Sequence, residues 1–221
     1  MKKKTLTIAI ALVLVVALAV GATYAYLTAT AGPVENTFVA GRLLNQDGAL
    51  TLNEHKITTT GTTGVYNLSN DTTTKNDYTA IMPGVNLPKD PKVTVTGLVA
   101  NAYLFVVADN ALTNGLSATY DIYDATTNPD GKWVVVESNA AAGKTLLAYN
   151  GVLTQDVSDV YILKDNTVTV PSSLTVDNAG QSFGNLTFNA YLVQAAGFKT
   201  AAAAWNGAFE QATGITATVA P

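Results

Sequence analysis

Lys92-Val-Thr-Val-Thr-Gly97, followed after a short gap by Ala102-Tyr-Leu-Phe-Val-Val-Ala108, is the stretch that decides the fold. The first run alternates apolar residues with threonine, the period-two pattern of a strand with one face covered. The second is apolar at every position, as a central strand covered on both faces is.

Working outward, further strand-like runs appear on both sides. Upstream, Asn36-Thr-Phe-Val-Ala-Gly reads as a first strand, Asn45-Gln-Asp-Gly as a turn, and Ala49-Leu-Thr-Leu-Asn as the start of a second strand. Residues 58–76 are rich in Thr, Asn, Gly and Asp around Val65-Tyr66-Asn67-Leu68, the composition of a surface loop or ragged hairpin. Pro83, Pro88 and Pro91 with Gly84 then exclude helix and limit ladder bonding. Downstream, residues 118–124 are expected to form a hairpin with 132–137 through Asn128-Pro-Asp-Gly. Strands are also expected over 144–153, 160–163, 167–170 and 186–194. A single C-terminal helix is predicted over 201–212, capped by Thr200, with Trp205, Phe209, Ala202, Ala208 and Ala212 forming the face laid on the sheet. The fold class expected is all-β: an antiparallel, jelly-roll-like β-sandwich with one short C-terminal helix.

The N-terminus carries a different signal. Lys2, Lys3 and Lys4 precede an apolar run from Leu6 to Val20, then small residues, which is the anatomy of a secretory signal peptide. The run is shorter than the ~20 residues of a comfortable membrane span. The reading is a signal peptide over 1–25, cleaved between Ala25 and Tyr26, with an uncleaved anchor as the alternative. Cleavage leaves 196 of the 221 residues as one domain and removes three lysines, taking the formal charge from −4 to −7. So acidic a chain is repelled by nucleic acid and anionic lipid. With no cysteine, there is neither a disulfide framework nor a thiolate site.

Candidate chemistry is sparse. His55 is the one histidine, in Asn53-Glu-His-Lys, and no Gly-x-Ser-x-Gly elbow accompanies it, so it reads as an ordinary exposed side chain. A zinc site of the His-Glu-x-x-His kind fails on histidine count. Asp121, Asp124 and Asp130 supply oxygen ligands suited to calcium, although turn and strand-edge roles account for them. Asn67, Asn70 and Asn185 begin Asn-x-Ser/Thr triplets, which chance also produces in a chain rich in Asn and Thr. Gly143-Lys-Thr lacks the first glycine of a phosphate loop, and the C-terminus carries no Leu-Pro-x-Thr-Gly signal. No cofactor is expected. What remains is residues 26–31, set off by Gly32-Pro33 as a separate extended arm able to add to a sheet edge.

Three blocks carry a resemblance. Gly21-Ala-Thr-Tyr-Ala-Tyr-Leu-Thr with Asn36-Thr-Phe-Val-Ala-Gly, then Met82-Pro-Gly-Val with Asn101-Ala-Tyr-Leu-Phe-Val, then Leu186-Thr-Phe-Asn-Ala-Tyr-Leu-Val-Gln with Ala204-Trp-Asn-Gly-Ala-Phe, occur in that order. Together they resemble the TasA and camelysin family, whose export signals are processed by a SipW-type signal peptidase. The resemblance implies a jelly-roll subunit of secreted, extracellular biofilm-matrix fibres, self-associating by donation of an N-terminal strand, here the arm over 26–41. Tyr26, Leu27, Phe38 and Val39 are then the expected polymerisation residues, and the partners are other copies of the chain, the peptidase, and other matrix or cell-surface proteins. Two further readings stand beside it. One is a camelysin-like metallo-endopeptidase, which the single histidine disfavours; the other is a monomeric, membrane-anchored adhesin or accessory protein.

Overall fold

The computed structural model describes residues 28–31, 36–38, 43–174 and 182–218. The apolar run Ala102–Asn110 (β7) pairs along its whole length with Leu186–Gln194 (β13), Ala102 opposite Gln194 and Asn110 opposite Leu186. Around this nine-residue ladder a six-stranded antiparallel sheet is laid out in the order β2, β1, β13, β7, β10, β9. Its other members are Thr28–Ala31 (β1), Asn36–Phe38 (β2), Trp133–Asn139 (β9) and Lys144–Tyr149 (β10).

One face of this sheet is covered by two smaller sheets. Leu44–Thr59 (β3), Tyr66–Thr73 (β4), Lys92–Leu98 (β6) and Val157–Tyr161 (β11) form the first, in the order β11, β6, β3, β4. Leu87–Pro88 (β5), Ser117–Tyr120 (β8) and Leu163–Thr169 (β12) form the second, with β12 central. The core between the layers is built from Leu104, Val106, Leu147 and Leu192 on one side and Val93, Val95, Ile162 and Leu163 on the other. The class is the expected antiparallel β-sandwich. Chain passes between the smaller sheets at Ile162, whose N–H reaches Pro91 O while its carbonyl accepts from Asp121.

The opposite face of the large sheet is covered by helix. Tyr103, Phe105, Leu146 and Tyr191 meet Ala202, Trp205, Ala208 and Phe209, with the Phe105 and Trp205 rings 5.3 Å apart. Thr200 Oγ1 caps Ala201–Ala208 (α1) through Ala203 N, as expected. The single helix expected over 201–212 is instead two. Phe209, at φ −128°, leaves helical geometry before Glu210–Thr213 (α2), and Ala212 is exposed rather than packed. The break lets the chain reverse after Gly214. Trp205 Nε1 then donates to Ile215 O, and Asn206 clasps the main chain of Ala217 from both sides.

Three other expectations are corrected. Residues 45–48 are no free turn: they are a bulge inside β3, where Asn45 Oδ1 accepts from Asp47 N and the register against β6 shifts. Gly97 makes room opposite it, because at φ 70° an added Cβ would sit 2.4 Å from Asn45 Oδ1. Residues 118–124 and 132–137 do not form a hairpin. β8 pairs with β12, and the two stretches touch through one isolated parallel bridge, Ile122 with Trp133, and the main-chain bonds around it. Last, residues 28–31 do not stand apart from the body. β1 pairs with β13, Thr28 opposite Val193 and Ala31 opposite Ala190, and turns into β2 with Ala29 opposite Phe38.

Trp205→Ala removes the largest group joining the helix to the sheet and is expected to cost about 3–5 kcal/mol, read as a lower urea midpoint. At the end of β6, Asp156 accepts from the N–H groups of Leu98 and Gly97, which hold its carboxyl below the usual range. Its contribution is therefore full above the unfolded carboxyl value of about 3.9 and is lost as pH falls through the folded value. The stability gap between the native protein and Asp156→Ala should close in that acid window, as followed by urea unfolding at stepped pH.

Candidate functional site

The segment 74–91, with its three prolines, makes a ladder only at Leu87–Pro88, and side-chain bonds between it and the β3–β4 hairpin and within itself seat the rest. Asn76 spans the two main-chain groups left free by the hairpin's register shift, accepting from Ile57 N at 2.9 Å and donating to His55 O at 2.8 Å. Tyr66 OH both accepts from Ala80 N and donates to Ala80 O. Tyr78 OH donates to Pro88 O. Burial, and after it the nearby carboxylates of Glu54 and Asp90, push the Tyr78 phenol well above its ordinary value.

Behind this segment lies a ladder of charge. Lys89 Nζ meets Glu54 Oε2 at 2.9 Å, their side chains 12% and 7% exposed. One residue on, Asp90, 3% exposed in its side chain, accepts from His55 N at 2.9 Å with one oxygen and faces His55 Nδ1 at 2.5 Å with the other. Lys92 Nζ then lies 3.4 Å from His55 Nε2 and 3.0 Å from Asp159 Oδ1. His55 is thus not the ordinary exposed side chain expected. It links β3 to the chain entering β6, and its outer nitrogen faces an ammonium group. The Asp90 carboxylate accepts, so Nδ1 is the donor in the contact between them. This cluster was illegible in the sequence except as the adjacency of Glu54-His55 to Lys89-Asp90-Pro91-Lys92 at matching spacing.

The segment forms one wall of a cleft of about 750 Å³, whose other wall is residues 182–188 at the start of β13. Leu52, Ile81, Leu87, Leu116, Phe183 and Phe188 give it an apolar lining. Its charged members are paired, Glu54 with Lys89 and, at the rim, Lys75 with Asp77 at 3.0 Å. The cleft therefore suits an uncharged, largely apolar occupant.

Two of the three acidic residues considered as calcium ligands have other partners. Asp124 Oδ1 accepts from Thr126 N and Thr127 N, which lower its carboxyl, and Asp121 accepts from Asn128 Nδ2 and Lys132 N. Among the described residues no group of three or more acidic or histidine side chains is placed to hold a metal ion. Of the expected polymerisation residues, Phe38 lies in β2 opposite Ala29. Tyr26, Leu27 and Val39, with the cleavage pair Ala25 and Tyr26, fall outside the described residues. Comparison with protein-family models, curated proteins and solved structures finds no match to this chain.

Lys89→Met strands the buried Glu54 carboxylate and is expected to cost about 3–5 kcal/mol, whereas the double variant Glu54→Leu with Lys89→Met recovers most of it. Urea unfolding of the two variants checks this; equal losses would show that the pair is not coupled.

Proposed function

We propose that the protein is a secreted structural subunit of extracellular matrix fibres, and that it polymerises by giving its N-terminal strand to the next copy. The observation that carries this reading is the position of β1. It is a four-residue strand at the N-terminal end of the described chain, lying between β13 and the edge strand β2, so that two short N-terminal strands make up one margin of the large sheet. A short terminal element at a sheet margin is one that copies can exchange. The lysine-led apolar segment upstream, with its Ala25–Tyr26 junction, and the resemblance to the TasA and camelysin family support export through a SipW-type peptidase and residence in the matrix or at the cell surface. Among the described residues no helix is long and apolar enough to cross a membrane; the run from Leu6 to Val20 lies outside them.

On the peptidase alternative, His55 would be a metal ligand or base. Its nitrogens instead face Asp90 and Lys92, so either role would require the cluster to open first.

Deleting residues 26–31 from the mature chain should leave the far-ultraviolet circular dichroism of a β-protein and a monomeric sedimentation profile, with no filaments in electron micrographs. Filaments persisting in that deletion would end the strand-donation reading.

A further inference from the structure

Lys92 is the one buried lysine among the described residues, and its amine has unlike neighbours on two sides. On one side His55 Nε2 lies 3.4 Å from Nζ, and on the other Asp159 Oδ1 lies 3.0 Å from it. The Tyr161 ring is the third neighbour, its centroid 5.8 Å from Nζ. Behind the imidazole stands Asp90, 3% exposed in its side chain, accepting from Nδ1 with one oxygen and from His55 N with the other. With Nδ1 donating, the lone pair of the neutral ring is on Nε2, the nitrogen turned to the amine. Carboxylate, imidazole, amine and carboxyl group thus follow one another in a row. A nucleophile within reach of a base that a third group orients is the arrangement that activates side chains for attack on an acyl carbon. Here the acyl group is already in place.

The backbone brings Asp159 to this point. Lys92 is opposite Tyr161 in the ladder of β6 with β11, and the register slips between Val157 and Val160. Asp159 sits in that bulge at φ 53°, its N–H on Thr94 Oγ1 at 3.2 Å, and its carboxylate reaches the amine on the neighbouring strand. Neither Lys75 with Asp77 nor Lys89 with Glu54 is built this way. The first pair is more than two-thirds exposed on both sides. The second is enclosed, but Glu54 and His55 are consecutive residues of β3 and point to opposite faces, so the imidazole serves Lys92 instead.

We propose that Lys92 and Asp159 condense to an amide, an isopeptide bond within the chain that locks β11 to β6. The Lys92 ammonium gives one proton to His55 Nε2, and Asp90 holds the imidazolium so formed. The freed amine lone pair attacks Asp159 Cγ and makes the N–C bond. One C–O bond then breaks, and its oxygen leaves as water carrying two protons, one returned by the imidazolium and one from the attacking nitrogen. Ammonium and carboxylate become a neutral amide and one water; nothing is oxidised or reduced. Strand pairing holds the two groups together, which removes the entropic cost that opposes condensation of free molecules. Asp159 is 55% exposed in its side chain, so the departing water has a way out. In a chain with no cysteine, the bond closes the loop from 92 to 159 as a disulfide does elsewhere.

Intact-mass spectrometry of the full mature chain, followed by peptide mapping, tests this. The native chain is expected to be lighter than its sequence by one water, with the peptide holding Lys92 joined to the peptide holding Asp159. Lys92→Arg and Asp159→Ala are expected at full mass. Asp159→Asn keeps the shape of the side chain and is expected to form the same bond by losing ammonia. In His55→Ala with an unchanged circular dichroism spectrum, the bond is expected to accumulate about 100-fold more slowly. A native chain at full mass would overturn the proposal. So would a loss of water that survives Lys92→Arg, the mark of an aspartate cyclised on its own backbone. A bond that forms equally fast without His55 would overturn the relay.

Discussion

The pairing of β7 with β13 is the constraint on which the molecule depends. Nine consecutive residues from each strand are matched, and together they supply apolar groups to both faces of one sheet. A sheet covered on both sides needs two cover layers, and the chain supplies one of strands and one of helix. Without cysteines, cohesion rests on apolar burial and main-chain bonding, with the most buried ionic contacts among the described residues at the joint between β3 and the segment entering β6. Those contacts do not replace the apolar core: they fix how the proline-rich segment is seated beside it.

The large sheet's two outer edges are unlike. At β9 the ladder shifts between Leu146 and Leu147, and the Glu137 carboxylate accepts from both the N–H and the hydroxyl of Thr218. A bulge and a tethered tail are devices that discourage further pairing. On the other side the sheet ends in two short strands, β1 and β2.

Much of this was legible in the residues. The unbroken apolar run 102–108 marked the doubly covered strand, and Trp205 and Phe209 marked the helix that covers it, because both patterns follow directly from which faces must be dry. What escaped was everything decided by distant partners. Asn45-Gln-Asp-Gly has turn chemistry, yet Gly97, far along the chain, accommodates it as a bulge. Asn128-Pro-Asp-Gly does make a local turn, but the flanking strands find better partners in β10 and β12. The candidate site divides the same way. The uncharged arm and its proline could be read directly, whereas the ion pairs around His55 join residues about 35 positions apart and only the packing of β3 beside residues 89–92 reveals them.

The pairing of β1 with β13 also sets an order of events. Thr28 meets Val193, so β1, although it has β2 beside it, cannot join the large sheet until the penultimate stretch has been made. Contacts of such long sequence separation form late. A chain made from its N-terminus would therefore leave β1 and β2 unseated for most of its synthesis, and would complete its large sheet only near the end.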